Sequence, residues 1–245
     1  GDTQEEVFLK VINSSRFKEY KAVVRFKVPV YGADFGSPAI YDYSANPLAN
    51  PVYEAFGGAT TRGSGFDGKY VLIVSRGATG IHLLDVEKLK NNVTERIPLN
   101  TTGITGGTFT YNMGAQVNGH SYVASLSGAA ASPLKIYHWD SNTPSSAPDL
   151  VTNINVGLLA GAGARHGDNF SINLDKNGNG YAFFLSATSA IIRVKITNWK
   201  SGTEPTVINA KSNYDVWGHF NQVGSTESYI LSGHVASVTM SVVNE

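Results

Sequence analysis

The chain has no cysteine and only two methionines among its 245 residues. Without cysteine there is no disulfide framework, no thiolate nucleophile and no cysteine-ligated zinc. Charge is scarce as well: 16% of residues are charged, and 19 cations balance 19 anions. With neither a basic stripe nor an acidic tail, nucleic acid is not an expected partner. No apolar run reaches the ~18–20 residues of a membrane-spanning helix, so no transmembrane segment is expected. Amphipathic helical periodicity is missing too, apart from one turn's worth at residues 85–91. Catalytic signatures fail in the same way. H-E-x-x-H and G-x-S-x-G do not occur, and the glycine-rich residues 157–163 lack a following Gly-Lys-Ser or Gly-Lys-Thr. The carboxylates Asp34, Asp42, Asp168 and Asp215 are few, and turn roles account for most of them.

What is plentiful is glycine, serine, threonine and asparagine, the composition of short strands joined by tight turns. One unit recurs: a turn, an apolar strand ending in a small polar residue, a loop, then a second strand. Gly178-Asn179-Gly180-Tyr181-Ala182-Phe183-Phe184-Leu185-Ser186, followed by Ile191-Ile192-Arg193-Val194-Lys195-Ile196, is the fullest copy. Tyr20, Tyr70, Tyr122, Tyr181 and Tyr229 mark its start, roughly 50 residues apart, the length of a propeller blade. The expected fold is therefore all-β, a single domain over residues 1–245. It would form a β-propeller of about five four-stranded blades, with units near 5–57, 58–105, 106–160, 161–212 and 213–245. The strand at residues 5–12 would complete the last blade and close the ring, which removes an exposed edge. The alternative is a β-sandwich. Trp139 and Trp199, at the ends of corresponding strands, are expected in the core between blades.

Loops at one mouth of a propeller are the usual place for a site. The loops assigned there hold Arg62, Arg76, Arg165, His166, Asp168, Trp217, His219 and His234, beside glycines that let backbone approach closely. These eight residues form the candidate ligand-binding set. Guanidinium groups suit carboxylates and planar polar groups, and an indole can stack on a sugar face. Asp175-Lys176-Asn177-Gly178-Asn179-Gly180 matches the opening of a calcium loop, making Asp175, Asn177 and Asn179 a metal candidate. Position twelve of that loop falls on Ser186, which lacks the bidentate carboxylate of an EF-hand, so a hairpin turn is the preferred reading. No cofactor is expected.

Gly68-Lys69-Tyr70-Val71-Leu72-Ile73-Val74-Ser75-Arg76 and Asn177-Gly178-Asn179-Gly180-Tyr181 carry a family likeness. The chain resembles exported propeller-like proteins of gut bacteria that fall in domain-of-unknown-function families and are often lipoproteins. The resemblance covers roughly residues 57–245. It implies export, a periplasmic or surface location, a lipid anchor lost from the trimmed chain, and a link to glycan uptake; it brings no catalytic residues. The start Gly1-Asp2-Thr3, without Met, fits a trimmed secretory protein with Gly1 left by cloning. Three functions follow. The first is a non-catalytic propeller binding a glycan or other polar ligand at its loop face. The second is a lyase or hydrolase using His166 or His219 with arginine support. The third is a protein-interaction scaffold.

Overall fold

Short turns decide the connectivity. The computed structural model describes residues 60–77, 79–91, 93, 95–127, 132–162, 165–185 and 190–208 in full. It also describes the backbone of strand residues 4–11, 20–27, 209, 219–222, 228–232 and 240–244. The strands expected at residues 37–43 and 52–56 lie outside this set. Two units divide the chain, residues 1–41 and 42–245. In the first, β1 (Gln4–Val11) pairs antiparallel with β2 (Tyr20–Lys27).

The second unit contains three four-stranded antiparallel sheets, each a meander in chain order. The first sheet holds β3 (Thr61–Phe66), β4 (Tyr70–Ser75), β5 (Ile81–Asp85) and β6 (Ile97–Pro98). The middle sheet holds β7 (Phe109–Val117), β8 (His120–Leu126), β9 (Leu134–Asp140) and β10 (Asp149–Ile154). The third holds β11 (Ser171–Leu174), β12 (Gly180–Leu185), β13 (Ala190–Thr197) and β14 (Ser201–Asn209). A further sheet has three strands, β15 (His219–Gln222), β16 (Ser228–Ser232) and β17 (Met240–Asn244).

Turn chemistry explains the meanders. Asn118 and Gly119, at φ 48° and 81°, make the mirror-image turn whose twist matches a hairpin, and they join β7 to β8. Between β3 and β4, Asp67 Oδ1 accepts the backbone N–H groups of Lys69 (3.0 Å) and Tyr70 (2.9 Å). Among the described residues a short α-helix, α1 (Val86–Lys90), is capped by Asp85, which accepts from the N–H groups of Glu87 and Lys88. Among the described residues no helix is long and apolar enough to cross a membrane.

Strand alternation then sets the packing, since successive side chains point to opposite faces. On β8, Tyr122 and Ala124 face one way and Val123 the other, and all three are buried. Tyr122 and Ala124 join Leu134 and Ile136 against Phe170, Ala182, Phe184, Ile192 and Val194 of the third sheet region. Val123 joins Tyr137 and Trp139 against Tyr70, Leu72, Val74, Ile81 and Leu83 of the first. The centre of the middle sheet is thus covered on both faces. On the first-sheet side the approach is close: a methyl at Gly63 would collide with the backbone of Asn112, Met113 and Gly114. Only a residue without a side chain lets β3 lie so near β7.

The five-bladed propeller is overturned by this arrangement. The described strands form separate antiparallel sheets, none of them closed or curled, and the first, middle and third sheets are stacked face on face like a sandwich. The strand expected to close the ring pairs with β2 instead, and among the described residues the sheet of β15 to β17 has three strands. The physical reason is local. A turn–strand–loop–strand unit specifies hairpins, which any antiparallel fold uses, whereas a ring needs a fixed rotation between sheets that no single hairpin encodes. Of the two tryptophans expected between blades, Trp139 is buried between the first and middle sheets, and Trp199 is half-buried against the middle–third core.

Phe184 is fully buried between the middle and third sheets. Phe184→Ala is expected to lower unfolding stability by about 3–5 kcal/mol, measured by urea denaturation.

Candidate functional site

Four of the sequence-selected residues meet at one place. Arg76 follows β4, where its backbone N–H donates to Thr60 O (2.9 Å) and fixes the start of the side chain. Its Nε donates to Asn112 Oδ1 at 2.6 Å, and one Nη lies 3.7 Å from Asp168 Oδ1. The guanidinium also sits 4.0 Å from the centre of the Phe109 ring, a cation–π distance. Asn112, buried on β7, donates through its amide to the Gly167 carbonyl, which positions the loop carrying Asp168. Arg165 Nε donates to the other oxygen of Asp168. Arg62, on β3, is exposed and near enough for its charge to act on Arg76.

The electrostatics are lopsided. Among the described residues, three guanidinium groups share this region with one carboxylate. The Asp168 side chain is 2% exposed, against 14% for Arg76 and 47% for Arg165. Burial comes first in holding the Arg76 pKa below its usual value; repulsion from Arg62 and Arg165 adds to it and Asp168 opposes it. Arg165 moves the other way, raised chiefly by its hydrogen bond to Asp168. The cluster therefore has a buried anchor and an outer face of surplus positive charge, next to a Phe109 ring that is partly open to solvent.

The other candidates fall elsewhere. The His166 side chain is fully buried, and its backbone exchanges hydrogen bonds with Ser127 (2.8 and 2.9 Å). Trp217 and His234 lie outside the described residues. His219 opens β15, with its side chain outside them. In the proposed calcium loop, Asp175 Oδ1 accepts the N–H groups of Asn177 (2.8 Å) and Asn179 (2.9 Å), and Asn179 Oδ1 accepts from Asn198 N–H. These oxygens build the hairpin. No group of three or more metal-type side chains occurs among the described residues.

Sequence reasoning missed two partners in the arginine cluster, Asn112 and Phe109. Asn112 left one trace, a polar residue at an inward position of an otherwise alternating strand. It also missed a second cluster altogether. His120 Nδ1 lies 2.8 Å from His138 Nε2, and His138 Nδ1 lies 3.1 Å from Asp149 Oδ2. Lys200 Nζ is 3.0 Å from the same carboxylate oxygen. Trp199 stacks on His120 with ring centroids 3.9 Å apart.

Comparison with known proteins gives the family. The family described as a domain of unknown function, DUF4623, matches residues 1–245, the whole length given. The chain belongs to the DUF4623 family. The crystal structure of a DUF4623 family protein from Bacteroides eggerthii DSM 20697 is similar, with 42% identity and a TM-score of 0.75. The match covers 99% of this chain and 55% of that one, so the chain spans just over half the length of its DUF4623 relative. A comparison with curated proteins finds no match. The expected function, a propeller binding a glycan at one loop face, loses its basis. Among the described residues the stacked sheets show no ring and hence no propeller mouth.

Asp168→Asn would leave Arg76 and Arg165 without their shared carboxylate. A loss of about 1–3 kcal/mol in urea-denaturation stability is expected, the range for hydrogen bonds to charged groups.

Proposed function

We propose that this DUF4623 domain is a non-catalytic protein-interaction module that holds carboxylates of a partner protein with Arg62, Arg76 and Arg165. The observation that carries the reading is the surplus, among the described residues, of guanidinium groups over carboxylate at a partly exposed surface beside the Phe109 ring. Arginine and aromatic residues are the side chains that most often anchor protein interfaces. A guanidinium fork presents paired donors that fit a carboxylate. Preorganisation supports the same reading. Asn112 and Asp168 hold Arg76 in place before any partner arrives, which reduces the ordering lost on binding.

Export and a lipid anchor at the bacterial surface belong to the same proposal, resting on the resemblance of the two hairpin units to exported lipoproteins. Cell fractionation would contradict that part if the native protein were recovered from the cytosol.

A Glu-rich peptide titrated calorimetrically into the domain tests the contact. Binding is expected to weaken with added salt and to fall at least tenfold in Arg62→Gln, an exposed position whose change should leave the melting temperature in place. Equal affinity in wild type and Arg62→Gln, or affinity indifferent to salt, would overturn the reading.

A further inference from the structure

The second cluster joins two sheets. His120 and His138 come from β8 and β9 of the middle sheet, and Asp149 opens β10. Trp199 and Lys200 come from the turn between β13 and β14 of the third sheet. Tyr122 Oη donates to the Trp199 carbonyl at 2.9 Å, and Trp199 N–H donates to the Gly178 carbonyl at 3.0 Å. Asn198 and Trp199 sit at φ 49° and 66°, a left-handed conformation that side chains other than glycine adopt reluctantly, bulky ones most of all. The turn is thus held against a backbone preference by the contacts around it.

Hydrogen-bond logic orders the protons. Asp149 can only accept, so neutral His138 carries its proton on Nδ1 and presents a lone pair at Nε2. His120 must then donate from Nδ1, leaving its own Nε2 unprotonated. One added proton at His120 Nε2 keeps every bond in the chain. A second, on His138 Nε2, would set two N–H groups against each other at 2.8 Å. The His138 side chain has no exposed surface through which water could relieve that conflict.

We propose that His120 and His138 form an acid-released latch between the middle and third sheets, closed while the pair carries at most one added proton and opened by the second, which frees Trp199 and its turn. The charged groups around the pair agree with this. Burial comes first in holding the His138 pKa below its usual value, outweighing the Asp149 hydrogen bond, while His120 and Lys200 add repulsion. Burial likewise leads for His120, with Lys200 pushing the same way and Asp140 and Asp67 opposing. Tyr122, whose ring lies against His138, has its phenol pKa pushed up by burial and stays neutral throughout. The sign follows. Unfolded histidine takes up a proton near pH ~6.5, above both folded values, so the latch's stabilisation is present above that pH. It is lost as pH falls through the folded values.

Histidine-detected NMR of the wild-type domain from pH 8 to pH 4.5 tests the latch. Both imidazoles are expected to carry their proton on Nδ1 at pH 8 and to titrate as a coupled pair below the free-histidine value. The ring-current shift of His120 from Trp199 should vanish with the second step. Lys200→Met removes a repulsive cation and is expected to move that step to higher pH. Independent titrations at the free-histidine value, a Trp199 stack that persists to pH 4.5, or a step unmoved in Lys200→Met would each overturn the proposal.

Discussion

Strand β8 at the centre of the middle sheet has no solvent face, and most of the described structure follows from that. Tyr122 and Ala124 pack toward the third sheet while Val123 packs toward the first, so one strand of β8 serves two cores at once. A strand buried on both faces reads as nearly continuous apolar and small residues, not as a clean alternation. His120-Ser121-Tyr122-Val123-Ala124-Ser125-Leu126 has that character. The small polar members solve the remaining problem, since each buried hydroxyl needs a partner. Ser121 donates to Gln116 Oε1 at 2.7 Å, and Ser125 Oγ accepts the N–H of Lys135 at 2.9 Å.

Polar groups along the seams between sheets are used in the same way. Gln116 Nε2 donates to Asp67 Oδ2 (3.0 Å), and Gly119 N–H donates to the same oxygen at 2.8 Å. A turn of the first sheet is thereby tied to a turn of the middle one. Burial would raise the Asp67 pKa, but the N–H groups of Tyr70, Gly119 and Lys69 with the Gln116 amide outweigh it and hold the carboxyl low. At the opposite seam, Tyr122 and the histidine pair meet the Trp199 turn. The arginine cluster is a third such tie: Asn112 and Asp168 draw loops from three sheet regions together. It differs from the others in keeping excess charge at the surface, which is why it is the place assigned to a partner.

Much of the local structure was legible in the residues. The strands following Tyr70 and Tyr122 lie where the repeat put them. Trp139 was correctly expected in a core. The stacking of the sheets was not legible, and a ring was expected in its place, because the angle between successive sheets depends on contacts such as Gly63 against β7, which no local pattern reveals. In the arginine cluster, glycine-flanked Arg76, Arg165 and Asp168 stood out in a charge-poor chain, yet Asn112 and Phe109 lie in a strand more than 30 residues away from Arg76. The histidine latch left still less trace. His120 and His138 are distant in sequence and meet only because the β8–β9 register sets Tyr122 opposite His138.

The centre of the middle sheet, covered on both faces, holds the second unit together. Native-state hydrogen exchange resolved by residue tests it most directly. The account predicts that β8 and β9 amides exchange slowest, and only through global unfolding, while those of the outer strand β14 exchange through local opening. Exchange of β8 amides as fast as those of β14 would contradict it.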